Sequence, residues 1–106
     1  MIEKDVIINL LNEKYRYPKH MLEPTANKLL NLDSKLAKYF EDLVRFEDIP
    51  DIVIEGYTVE KLMEKEHMNV ISAFITLDTL LKEPDIAKKA LDYGIHNFNG
   101  LNKWKE

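Results

Sequence analysis

Six carboxylates crowd EDLVRFEDIPDIVIE, residues 41–55: Glu41, Asp42, Glu47, Asp48, Asp51 and Glu55, with Arg45 as the one base among them. Acids this dense can dock a basic partner, imitate nucleic-acid phosphates or hold a divalent cation. A calcium loop would need the D-x-D-x-D-G pattern, and it is absent. The plain reading is a solvated helix end running into a polar loop, as most charge runs are. Docking is the functional reading that survives. It enlists Glu47, Asp48, Asp51, Ile52, Ile54 and Glu55, together with two aromatic residues near the C-terminus, Phe98 and Trp104.

The remaining reactive side chains form no catalytic pattern. His20, His67 and His96 lie far apart, with no H-x-x-x-H spacing. Ser34 and Ser72 have neither a G-x-S-x-G nor an S-x-x-K context. No two of Gly56, Gly94 and Gly100 are close enough to cradle a phosphate. The chain has no cysteine, so disulfides, thiolate metal sites and a cysteine nucleophile are excluded. The expectation is a protein that is not an enzyme, with no cofactor and no metal.

Composition narrows the class further. A chain of 106 residues with 45% hydrophobic and 32% charged content suits one globular domain, 1–106. No apolar run approaches the ~20 residues that span a bilayer. The N-terminus MIEKDVIINLLNEK has acids early and no small-residue cleavage site, which predicts no secretory signal and a cytoplasmic setting. Nineteen acids against 15 bases give a formal charge of −4, which disfavours a nucleic-acid partner.

Three glycines and four prolines leave little turn chemistry for a sheet, so an all-α bundle of five to six short helices is predicted. Val6, Ile7, Leu10, Leu11 and Tyr15 recur at helical spacing and predict a helix over 3–15. Tyr17-Pro18 closes it. A second helix over 18–31 carries Met21, Leu22, Ala26, Leu29 and Leu30 inward and is distorted by Pro24. Asp33 or Ser34 caps a third through about Arg45, with Leu36, Tyr39, Phe40, Leu43 and Val44 as its apolar stripe.

The character then changes. FEDIPDIVIEGY predicts an extended strap over about 47–57, with one short strand where Ile52 and Ile54 alternate with Val53. A lone strand cannot satisfy its own backbone, so the strap lies over the helices or pairs with another chain. Thr58 caps a short helix from Val59 to about Glu66, with Leu62 and Met63 inward, and Asn69 caps another from Val70 to about Lys82. Pro84 opens the last helix, carrying Ile86, Ala87, Ala90 and Leu91 inward, and Gly94 stands where a left-handed cap belongs. In the tail, 95–106, Ile95, Phe98, Leu101 and Trp104 are three apart but interrupted by Asn99-Gly100, which predicts loose order.

TVEKLMEKEHMNVISAFITL, 58–77, has helix-turn-helix spacing, with His67 where the turn usually favours glycine. A reading helix needs Arg, Lys, Asn or Gln on a solvated face. Residues 70–81 carry no Lys or Arg and are apolar around most of their circumference, which predicts a buried central helix. The longer stretch 49–84 resembles a group of short, uncharacterised, all-helical bacterial proteins. That resemblance implies a compact helical domain and a bacterial, cytoplasmic setting; it implies no activity.

Two functions follow. The first is a protein–protein interaction or adaptor module using the acidic strap and the aromatic tail, with a homodimer as one way to hide their apolar residues. The second is a small DNA-associated regulator of helix-turn-helix type, whose bases would be Lys4, Lys14, Arg16, Lys19 and Lys28.

Overall fold

Six helices make up the computed structural model, which describes residues 2–94: α1 Lys4–Glu13, α2 Lys19–Leu30, α3 Ser34–Phe46, α4 Val59–Lys65, α5 Val70–Lys82 and α6 Pro84–Asp92. Ile95, Phe98, Leu101 and Trp104 of the tail lie outside the described residues. The fold is an all-α bundle.

Local chemistry explains where the helices begin. Asp33 accepts a hydrogen bond from the Lys35 amide, Thr58 from Lys61 and Asn69 from Ser72, each supplying a partner for an amide the helix itself leaves open. Pro84 opens α6 at its first position, where no N–H is needed. Pro24 sits inside α2 without ending it.

Two helix ends close in the same way. Arg16 takes a left-handed φ of 54° after α1, and the Tyr17 amide reaches back to the Leu11 carbonyl. His67 takes φ 57° after α4, and the Met68 amide reaches back to Leu62. His67 thus adopts the conformation that glycine usually supplies at such a turn, and the turn is tight without one. At α1 this closure ends the helix at Glu13, short of the expected Tyr15.

Helix α5 is the centre of the bundle. It packs against α2, α3, α4 and α6, while α1 packs on α2. All of Ala73 to Leu80 is buried, with Val70 and Ile71. The Phe74 ring meets Phe40 of α3 edge-on, with centroids 5.6 Å apart. The polar residues on this helix are absorbed internally. Thr76 and Thr79 donate to the carbonyls of Ser72 and Ile75, one turn back.

Several expected core positions face outward instead. The buried stripes are narrower than the sequence suggests: Ile7 and Leu11 on α1, Ala26 and Leu29 with Thr25 on α2, and Leu36, Phe40 and Leu43 on α3. Val6, Leu30 and Tyr39 each neighbour a stripe residue, roughly 100° around the helix from it, and are exposed. Met63 is only half-buried.

Candidate functional site

The strap is not a strand. Glu47 caps α3 in the left-handed conformation, and residues 47–53 carry no regular structure. The segment ends in a tight turn, where Ile54 and Tyr57 exchange both backbone hydrogen bonds around Glu55 and Gly56, at 2.8 and 2.9 Å. Both central residues have positive φ, 52° and 82°, as a type I′ turn requires. Lys61 of α4 braces this turn, donating to the Gly56 carbonyl while its ammonium lies over the Tyr57 ring.

Within the strap, burial alternates. Ile54 is buried and Pro50 and Ile52 half-buried, whereas Ile49, Asp51 and Val53 are exposed. That period of two belongs to an extended chain with one side on the helices. Ile52 and Ile54 therefore anchor the strap on the core. The apolar side chains left in the open are others: Phe46 is 66% exposed, Val53 64% and Ile49 48%. The exposure of Phe46 and Val53 was not among the sequence expectations. The signal was present, because Val53 is out of phase with the two isoleucines that anchor the strap.

The carboxylates divide into two groups. Glu47 pairs with Lys14 at the end of α1, and this hydrogen bond holds the Glu47 carboxyl below its ordinary range and Lys14 above its own. Glu55 pairs with Lys88 of α6 at 2.6 Å, which raises Lys88 in the same way. The acidic stretch is thus balanced by more than Arg45, through bases that tertiary folding supplies. These two glutamates clasp the strap at its ends. Asp48 and Asp51 lie between the clasps, exposed and in no ion pair among the described residues. With Tyr39, Asp42, Ile49 and Pro50 they line an open cleft of about 330 Å³ where the strap leaves α3.

Other concavities offer less. An apolar notch of about 250 Å³ lies among Ile2, Ile7, Leu29, Leu30, Ala37, Phe40 and Glu41. A polar cleft of about 350 Å³ borders Asn27, Lys28, Asn31, Asp78 and Lys82. In that cleft Asp78 is already engaged, accepting from the Asp33 amide at 2.8 Å and pairing with Lys82 at 2.9 Å. Among the described residues, no three His, Asp or Glu converge to hold a metal, and no helix is long and apolar enough to cross a membrane. His20 and His67 are both exposed.

No family model, no curated protein and no solved structure matches the chain.

Proposed function

We propose that this chain is a non-enzymatic docking module that binds a protein partner through residues 46–53. One observation carries the reading: Ile49 and Val53 stand exposed on a segment whose two ends are clasped to the helices by ion pairs, and Phe46 is exposed at the end of α3 just before it. A surface held in place loses little conformational freedom on binding, so its apolar contacts convert to affinity at lower cost. Phe98 and Trp104, the aromatic residues of the tail, belong to the same proposal as further contacts.

The DNA-regulator reading has less behind it. The helix that would enter a groove is the buried α5, and Lys4 and Lys14 of the basic set pair with Glu23 and Glu47. Affinity capture from native lysate tests the docking reading, with the wild-type chain beside a Phe46→Ser/Val53→Ser variant. Loss of a captured protein in the variant, with thermal melting unchanged, is the expected result. Capture of the same proteins by both chains, or of none by either, overturns it.

A further inference from the structure

We propose that the partner of residues 46–53 is an extended basic segment, which adds to the strap as a β-strand along the edge formed by Ile49, Asp51 and Val53. This rests on the docking reading above and gives its occupant a chemistry.

Backbone accounting supplies the first part. Between Asp48 and Val53, no backbone group hydrogen-bonds to another backbone group among the described residues. In an extended chain, the N–H and C=O of one residue point to one edge, and those of the next residue to the opposite edge. The edge carrying residues 48, 50, 52 and 54 is spoiled twice. Pro50 has no N–H, and Ile54 has spent both its groups on Tyr57. The edge carrying Ile49, Asp51 and Val53 keeps every donor and acceptor. A row of open groups on an extended segment is a template for strand addition.

Side-chain chemistry supplies the second part. Ile49 and Val53 flank Asp51 in the chain, and Asp48, Ile49 and Asp51 share the cleft with Tyr39 and Asp42. An incoming strand with a Lys or Arg opposite Asp51, and apolar residues two positions to either side of it, would set those apolar side chains against Ile49 and Val53 on the same open face. A second cation near the end of that strand would meet Asp48, which, like Asp51, has no ion pair among the described residues. A second copy of this chain fits worse. The two-fold register that uses all three edge residues puts Asp51 directly opposite Asp51, and like charges in that position are destabilising.

A random peptide library displayed against the full chain tests the proposal. The expected winners carry a Lys or Arg with Val, Ile or aromatic residues two positions to either side, and they shift the amide resonances of Ile49, Asp51 and Val53. Methylating alternate backbone nitrogens of a winner should abolish binding when the methyls fall on the pairing edge, and spare it when they fall on the other. Asp48→Lys/Asp51→Lys should weaken binding about tenfold or more while the chain melts normally. Any of four outcomes overturns it: no enriched peptide, winners of helical or acidic character, binding indifferent to backbone methylation, or self-association of the free chain through the strap. If lysate capture depends on Phe46 and Val53 while peptide binding ignores methylation, strand addition falls and the docking module stands.

Discussion

Phe74 occupies the point where the bundle has least room to adjust. It is fully buried on the helix that touches four others, and its ring meets Phe40 edge-on. Phe74→Ala should cost ~3–5 kcal/mol, from lost burial and from a cavity that rigid neighbours cannot refill. Equilibrium denaturation measures this directly, and a loss under ~1 kcal/mol would place α5 at a surface rather than a core. Asp78 offers a polar counterpart. Its carboxylate accepts from the Asp33 amide and pairs with Lys82, which also donates to the Asn31 carbonyl at 2.6 Å. This one acid therefore ties the loop between α2 and α3 to the end of α5. Asp78→Ala strands a part-buried amide and should cost ~1–3 kcal/mol, with the fastest new hydrogen exchange at residues 31–33.

Among the elements, the strap depends most on charge. Glu47 titrates below its ordinary value because Lys14 hydrogen-bonds to it. Its contribution is therefore complete above that ordinary value and disappears as pH falls through the depressed one. Lys14 and Lys88 are raised by Glu47 and Glu55, so their contributions are complete below the ordinary lysine value and vanish as pH rises through the raised one. The pairs are exposed and of small global consequence. Amide exchange in residues 47–57 should nonetheless accelerate at both extremes ahead of exchange in α5, and Lys14→Met should flatten the acid limb. Uniform acceleration across strap and core would refute the clasp.

The same element shows where sequence stops being informative. Thr58 and Asn69 announce their helices because a cap is a local event, settled within three residues. The apolar circumference of α5 announces its burial for the same reason. The clasps are not local: Lys14 and Glu47 are 33 residues apart, and nothing near either one marks the other. Nor does helical spacing reveal how wide a stripe the neighbours will cover. That is why Tyr39 and Leu30 were expected inside and stand outside. In the strap, the alternation of Ile52 and Ile54 with Val53 marks two faces of an extended chain. Which face a partner could reach depended on where the helices lay.

At the scale of the whole molecule, charge distribution bears on the regulator alternative. The formal charge is −4, and an acidic surface repels a phosphate backbone unless bases cluster against it. Among the described residues, four lysines pair with carboxylates: Lys4 with Glu23, Lys14 with Glu47, Lys82 with Asp78 and Lys88 with Glu55. Of the five bases near the first two helices, this leaves Arg16, Lys19 and Lys28 to make a phosphate-binding face. Base readout would also need a solvated helix bearing long polar side chains, and α5 is buried from Ala73 to Leu80. Selection of the full chain against random duplex oligonucleotides at moderate salt should therefore return no motif. Residual retention should be weak and uniform across sequences. Recovery of a defined motif whose affinity falls steeply as salt rises would mean that the face around Arg16, Lys19 and Lys28 does bind phosphates.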